Sequence, residues 1–147
     1  MHVDFYLLPA DASVLTSACV VLEKIYLEGH RIFVWCPSQV TAHALDELLW
    51  TFKEESFIPH HLQGEGPTPG PAIQIAYQNP PQGFHDVLFN LTPKITEFTS
   101  QFRRVVELVS PDEDAKIKSR EHYRWYKQQG ATLSTWPLEV SPNASAK

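Results

Sequence analysis

Two short apolar segments, each followed by a segment with helical periodicity, constrain the fold more than any other feature of the sequence. Residues 3–8 and 31–36 are rich in strand-forming side chains, and each segment is followed by a proline. After the first, apolar side chains recur every three or four residues up to Gly29, a residue type that commonly ends a helix. After the second, Ser38 is suited to begin a helix, and apolar side chains again follow at helical spacing: Leu45, Leu48, Leu49 and Phe52. This order of strand, helix, strand and helix predicts an α/β domain whose first two strands are parallel.

The second half of the chain predicts further strands, long loops and one more helix. Six of the twelve prolines fall within residues 67–93, and proline cannot donate a backbone hydrogen bond, so loops are expected there. Three strands and one helix are predicted: 73–77, 86–91, 102–109 and 114–129. Gly130 is expected to end the helix, and the polar residues from Leu138 onward offer little to bury. We therefore expect one domain over residues 1–137 and a disordered C-terminal tail over 138–147.

Composition and charge exclude several classes of protein. The chain has 147 residues, 43% of them hydrophobic, which is enough to bury a core. It has neither an apolar run long enough to cross a bilayer nor a recognisable secretion signal, so we expect a cytoplasmic protein. Cys19 and Cys36 each lie in apolar sequence and are expected to be buried thiols. The net charge of −5 disfavours bulk nucleic-acid binding, although seven of the twelve Lys and Arg lie between Arg103 and Lys127.

No set of residues predicts a catalytic, cofactor or metal site. The turn after the first strand contains no glycine, so its amides cannot approach a nucleotide phosphate as those of a glycine-rich turn do. His60 and His61 are adjacent and would point to opposite faces of a strand, which favours polar residues at a loop edge over a shared metal ion. Cys36 could be a nucleophile, but a core thiol is the simpler interpretation. A small α/β enzyme or a nucleotide-binding domain stays open as the alternative function.

The predicted C-terminal helix carries an unusual concentration of positive charge. At about 100° per residue, five of its side chains fall within a sector of roughly 100°: Lys116, Arg120, Tyr123, Arg124 and Lys127. A solvated helix surface would explain this pattern without any function. A site for an acidic peptide would explain it as well, with arginines pairing carboxylates and Tyr123 packing against an apolar anchor. Direct nucleic-acid binding is a third interpretation, which the negative total charge disfavours.

Aromatic and apolar side chains also cluster where the second helix ends. The cluster consists of Trp50, Phe52, Phe57 and Ile58, and a segment rich in Gly and Pro follows it. Such a cluster is typical either of a core or of an exposed patch that binds a partner. Composition alone does not separate these two interpretations.

Several sequence blocks, spread from about residue 3 to residue 136, are distinctive in their order and spacing. They are Phe5-Tyr6-Leu7-Leu8, Leu45-Asp46-Glu47-Leu48-Leu49-Trp50, Ser56-Phe57-Ile58-Pro59-His60, Gly64-Glu65-Gly66-Pro67, Arg120-Glu121-His122-Tyr123-Arg124-Trp125-Tyr126-Lys127 and Thr135-Trp136. In these blocks the chain resembles the chi subunit of bacterial DNA polymerase III. The Asp-Glu-x-Leu-Trp and Ser-Phe-x-Pro-His blocks are specific for this family when they occur together, whereas either block alone would be weak evidence.

The resemblance implies a fold, a function and partners. The implied fold is a three-layer, Rossmann-like α/β domain with a mostly parallel central sheet and a C-terminal helix. The implied function is that of a non-catalytic accessory subunit without a cofactor or metal. It would bridge the psi subunit of the clamp loader to the acidic, phenylalanine-ended tail of single-stranded-DNA-binding protein. Such a protein would be a monomer or a 1:1 heterodimer with psi, would act at the replication fork, and would contact DNA only indirectly and a membrane not at all.

The resemblance also implies two sets of binding residues. The tail-binding set comprises Val109, Arg120, Tyr123, Arg124 and Gly130, to which Lys127 is added because it lies on the same helix face. Relatives commonly carry lysine where this chain has Arg124, a change that keeps the charge and alters the donor geometry. The psi-binding set comprises Trp50, Phe57, Pro59 and His60.

Overall fold

A computed structural model describes residues 1–53, 58–63, 72–81, 83 and 86–138 of the chain. These residues form seven strands, three α-helices and a single-turn 3-10 helix at Thr99–Gln101. In chain order the strands and α-helices are β1 (His2–Leu7), α1 (Val14–Leu27), β2 (Ile32–Trp35), α2 (Gln39–Thr51), β3 (His60–Leu62), β4 (Ile73–Ala76), β5 (Val87–Asn90), β6 (Arg104–Val109), α3 (Glu113–Gln128) and β7 (Thr132–Pro137).

All seven strands belong to one sheet, in the order β3-β4-β2-β5-β6-β1-β7. Every neighbouring pair is parallel, including β1 with β6, where Phe5 lies opposite Glu107. Parallel strands need crossover connections, and α1, α2 and α3 supply three of them. The prediction of an α/β fold with a mostly parallel sheet is therefore confirmed.

Helices cover both faces of the sheet and give the predicted three layers. On one face, Tyr6, Val34 and Phe89 pack with apolar side chains of α1 and α2, such as Leu22 and Leu45. The alternate strand residues point the other way and form a second core with Tyr126 of α3: Val3, Phe5, Phe33, Leu88 and Val105. Strands that are buried on both faces read as continuous apolar runs, which is why β1, β2, β5 and β6 were recognisable in the sequence.

Side-chain caps fix the starts of the helices. Ser13, Ser38 and Asp112 each accept a hydrogen bond from a backbone N–H of the first turn that follows. Two acidic residues, Glu113 and Asp114, stand in the first turn of α3, where negative charge stabilises a helix. The predicted helix start at Ser38 and the acidic start of the third helix are both confirmed.

Two strands were missed in the sequence, and both are edge strands. β3 has only three residues, and it places His60 and His61 on a strand instead of at the expected loop edge. β7 contains Thr, Ser and Pro and is mostly exposed, because it pairs only with β1. An edge strand needs little apolar character and tolerates proline, so neither segment has the pattern of a buried strand. Leu138 still donates a backbone hydrogen bond to Leu7, and residues 139–147 of the predicted tail lie outside the described residues.

A buried carboxylate anchors β7 to the sheet. Asp4 on β1 accepts hydrogen bonds from Trp136 Nε1 at 3.0 Å and from Arg104 Nε at 2.7 Å. Burial by itself would raise the pKa of Asp4. The pKa is nevertheless held below its usual range by these two hydrogen bonds, by the charge of Arg104 and by a hydrogen bond with His2. The indole of Trp136 thus has a structural role although its ring is half exposed.

Replacing Gly130 with alanine is expected to destabilise the protein by about 1 kcal/mol, because L side chains disfavour left-handed backbone. Gly130 follows the last turn of α3 with a φ of +83°, and an added Cβ would meet nothing within 4 Å. The cost therefore comes from the backbone alone. Urea denaturation of the two proteins measures it, and Gly130→Asn is the control, since asparagine tolerates positive φ and should lose less. Equal losses for Ala and Asn would show that the backbone conformation is not the cause.

Candidate functional site

The cations of the C-terminal helix lie on its solvent side. Two side chains on the opposite side of α3, His122 and Tyr126, are buried against the sheet. Five further side chains of α3 are exposed to solvent, and we call them the basic face: Lys116, Arg120, Tyr123, Arg124 and Lys127. Within the described ranges, none of the four cations forms an ion pair with an acidic side chain. The basic face therefore presents charges that a partner can neutralise.

Apolar surface accompanies these charges. The ring of Tyr123 is 38% exposed and packs against buried Phe5, with the ring centroids 5.7 Å apart. Ile117, which the sequence analysis did not single out, is 48% exposed on the same side of α3. A peptide with both acidic and aromatic residues would find complementary groups on this surface.

The other two members of the tail-binding set lie at opposite ends of α3. Val109 is the last residue of β6 at the carboxyl edge of the sheet, and it is buried, with 6% exposure. Gly130 follows the other end of the helix, just before β7. Sixteen helical residues separate these ends by about 24 Å at 1.5 Å per residue. The structure thus brings Arg120, Tyr123, Arg124 and Lys127 together and leaves Val109 and Gly130 at the two margins.

A buried polar cluster fixes α3 beneath the basic face. Glu107 of β6 accepts hydrogen bonds from His122 Nδ1 at 2.7 Å and from the Tyr126 hydroxyl at 2.5 Å. The His122 Nε2 lies 3.0 Å from the carbonyl oxygen of Pro93. Sequence reasoning missed this cluster. Its only signals were one acidic residue between the apolar residues of β6 and two ring side chains spaced four apart on α3.

The electrostatics of this cluster are set by Glu107. Burial by itself would lower the pKa of His122. The pKa is nevertheless raised, because the ring is hydrogen-bonded to Glu107 and attracted by its charge. Smaller contributions come from the Pro93 carbonyl and the charge of Glu121. Burial and the Glu107 charge also raise the pKa of Tyr126, so its hydroxyl keeps the proton that it donates.

The second set of predicted binding residues lies at the end of α2 and the start of β3. Trp50 is 51% exposed and its ring lies 4.4 Å from the ring of His60. The His60 side chain is fully buried, with Nδ1 2.6 Å from the Ile58 carbonyl oxygen and Nε2 3.0 Å from that of Asp46. His60 is therefore a support for Trp50 and offers no surface of its own. Pro59 is partly exposed, and Phe57 lies outside the described residues.

The structure divides the aromatic cluster at the end of α2 between the two interpretations. Ile58 belongs to the core, and Phe52 packs against it while partly exposed. Trp50, in contrast, presents half of its surface to solvent.

The described residues offer little for catalysis. Among them, no group of three His, Cys, Asp or Glu could hold a metal ion. Burial raises the pKa of both Cys19 and Cys36 to about 12, which makes them poor nucleophiles. A cleft of about 380 Å³ at the carboxyl edge is lined in part by Glu107 and His122, but these two are already paired with each other. No described helix is both long and apolar enough to cross a membrane.

Comparison with known proteins assigns the family. Residues 1–134 match the family model described as DNA polymerase III chi subunit, HolC. The chain is 36% identical over 134 residues to the DNA polymerase III subunit chi of Pseudomonas aeruginosa, which covers 90% of this chain and 93% of the relative. It is 34% identical over 141 residues to the Escherichia coli K12 protein of the same description, covering 91% of this chain and 96% of that one.

A solved structure shares the fold. The chain resembles one described as Mss116p DEAD-box helicase domain 2 bound to an RNA duplex, with a TM-score of 0.62 and 11% identity. The match covers 97% of this chain and 66% of the helicase chain. At this identity the likeness concerns the fold alone. The match to the family model and the two relatives show that the chain belongs to the DNA polymerase III chi subunit family.

Proposed function

We propose that this chain is a non-catalytic accessory subunit of DNA polymerase III that bridges the psi subunit of the clamp loader to the acidic tail of single-stranded-DNA-binding protein. Membership of the chi family supports a role in replication. The observation that carries the tail-binding part of the proposal is the basic face, with four exposed cations that have no acidic partner among the described residues. The protein would act in the cytoplasm, as a monomer or a 1:1 heterodimer with psi. It would need no cofactor or metal, would not bind a membrane, and would contact DNA only indirectly.

The tail would be captured by charge and anchored by its terminal aromatic residue. Hydrogen bonds from Arg120 and Arg124 to carboxylates contribute roughly 1.5–3 kcal/mol each when well placed. Two of them would supply much of the ~8 kcal/mol of a micromolar complex. Tyr123 offers the apolar surface for the phenylalanine ring. An extended peptide of about seven residues would reach from the Val109 end of α3 to Gly130, at roughly 3.3–3.6 Å per residue.

The psi subunit would bind at Trp50, on the opposite face of the sheet from α3. An exposed tryptophan held in place by a buried ring is the kind of rigid aromatic anchor that dominates protein interfaces. His60 supplies that buried ring, and Pro59 lies beside it in the chain. Phe57 stays in the proposed psi-binding set on the resemblance alone.

Separate substitutions in the two surfaces are expected to remove different partners. Arg124→Ala should weaken the binding of a fluorescent peptide ending in Asp-Ile-Pro-Phe by about 10- to 100-fold, as expected for the loss of one charged hydrogen bond. It should leave psi binding unchanged. Trp50→Ala should weaken psi binding and leave the affinity for the peptide unchanged. Both side chains are exposed and neither belongs to the two apolar core clusters, so the fold should persist. Fluorescence anisotropy measures the peptide and a pull-down measures psi.

Lys118→Ala is the matched control for Arg124→Ala, since it removes a cation from another side of the same helix. If Arg124→Ala and Lys118→Ala weakened peptide binding equally, the effect would be one of total charge and the assigned site would be wrong. Retention of the wild-type protein on single-stranded DNA with no companion protein would contradict an indirect contact with DNA.

A further inference from the structure

A buried cluster of three hydrogen-bonded side chains lies beneath the basic face. We propose that Glu107, His122 and Tyr126 are positioning residues that hold α3 in its binding orientation, and that peptide binding therefore weakens as the pH rises and His122 loses its proton. The inference rests on the proposed function, because the basic face is what the cluster would position. None of the three side chains is itself part of that face.

The geometry explains how one carboxylate fixes the rotation of a helix. His122 and Tyr126 are one turn apart on α3, and each binds a different oxygen of Glu107. Two anchors on the same side of a helix prevent it from turning about its axis. Because Arg120 and Arg124 lie on the opposite side of α3, their direction follows from the same two hydrogen bonds.

The partners of His122 favour a ring that carries two protons. One ring nitrogen faces the Glu107 carboxylate at 2.7 Å, and the other faces the Pro93 carbonyl oxygen at 3.0 Å. Tyr126 donates its own proton to the second oxygen of Glu107, and an ionised carboxylate only accepts, so His122 Nδ1 is the donor to the first oxygen. A carbonyl oxygen only accepts hydrogen bonds, so both contacts of His122 form together only in the imidazolium ring.

Charged groups around His122 come from each element packed against it. Glu107 faces it from β6, the Pro93 carbonyl from the β5–β6 connection, and Tyr126 and Glu121 from its own helix. Asp114 and Lys118 line the adjoining cleft, to which α1 contributes the apolar Val14. The nearest and best aligned charge is thus the negative one of Glu107.

The pH dependence follows from the raised pKa of His122. In the unfolded chain the ring loses its proton near pH ~6.5, whereas in the folded protein it keeps the proton to higher pH. The stabilisation is fully present below the unfolded pKa and is lost as the pH rises through the folded pKa. Above that pH the Pro93 contact loses its donor and Glu107 keeps a buried charge without a cation, so α3 is held less tightly.

The test compares the pH profile of binding with the titration of one histidine. Affinity for the Asp-Ile-Pro-Phe peptide is measured from pH 5.5 to pH 9, a range in which the peptide carboxylates stay ionised. The His122 ring is followed by NMR in the same samples. In the wild-type protein we expect affinity to fall about tenfold, with its midpoint at the pH where His122 titrates. In Glu107→Gln, which keeps the shape and removes the charge, both midpoints should move to lower pH.

Controls separate this inference from the proposed function. His61→Gln, on β3 at the far edge of the sheet, should leave the profile unchanged. If Glu107→Gln does not fold, the wild-type comparison decides, because a binding midpoint that differs from the His122 midpoint overturns the inference. A wild-type protein that binds with a flat profile overturns it too. A wild-type protein that binds the peptide at no pH would instead overturn the proposed function.

Discussion

Reversing the charge of both Arg120 and Arg124 is expected to weaken binding of the acidic, phenylalanine-ended peptide by about three orders of magnitude. Each wild-type arginine would contribute a charged hydrogen bond of roughly 1.5–3 kcal/mol, and two such losses correspond to a decrease of about 1000-fold. Glutamates at the same positions add repulsion toward the peptide carboxylates. Both side chains are exposed and neither is part of the buried cluster below, so the fold should persist. Titration by anisotropy or calorimetry measures the affinity, and circular dichroism confirms the fold.

The matched control is the double variant Arg103→Glu with Lys118→Glu. It changes the net charge by the same amount, and its two positions are also exposed, but neither belongs to the basic face. We expect it to weaken the peptide by less than about tenfold, through long-range electrostatics that salt screens. Equal losses in the two double variants would mean that the peptide responds to overall charge and that the basic face is not a defined site.

How much of the fold could be predicted depended on where each element lies in the sheet. The central strands β1, β2, β5 and β6 are buried on both faces and mostly apolar, and their sequences show it directly. The edge strands β3 and β7 have no such pattern, because they form by pairing with one neighbouring strand and do not depend on burial. Trp136 in β7 illustrates this. Its anchor is Asp4, which is 132 residues away in sequence, so no local pattern could reveal it.

The same distinction applies to the candidate site. The basic face could be predicted because a helix repeats every 3.6 residues, so spacing alone places Arg120, Tyr123 and Arg124 on one side. The buried residues beneath this face could not be predicted, because Glu107 meets His122 only after the chain has folded back over the sheet. For His60 the resemblance implied a role in psi binding. The structure shows that its side chain is buried against Trp50, and the role stays a proposal.

The connection between β5 and β6 shows how the sheet is covered where no long helix is available. Residues 91–103 contain only a single turn of 3-10 helix, yet they lie on the same face of the sheet as α3. Their aromatic side chains pack on β2: Phe98 lies edge-on to Phe33 at 6.1 Å, and Phe102 stacks on Phe33 at 6.3 Å. Trp35, also from β2, meets Phe98 at 5.1 Å. Aromatic rings thus bury this part of the sheet in place of a helix.

Phe33 is the centre of that aromatic cluster, and Phe33→Ala is expected to destabilise the protein by about 3–5 kcal/mol. The side chain is fully buried in the central part of the sheet, and its removal takes contacts away from at least three other rings, those of Trp35, Phe98 and Phe102. Because small domains are stable by only ~5–15 kcal/mol, this would remove a large part of the total. Urea denaturation followed by circular dichroism measures the loss. Val40→Ala, at a position 79% exposed, is the control and should change stability by no more than about 0.5 kcal/mol. A loss below about 1.5 kcal/mol for Phe33→Ala would show that the aromatic connection repacks around the cavity, and that these rings do not act as the missing helix.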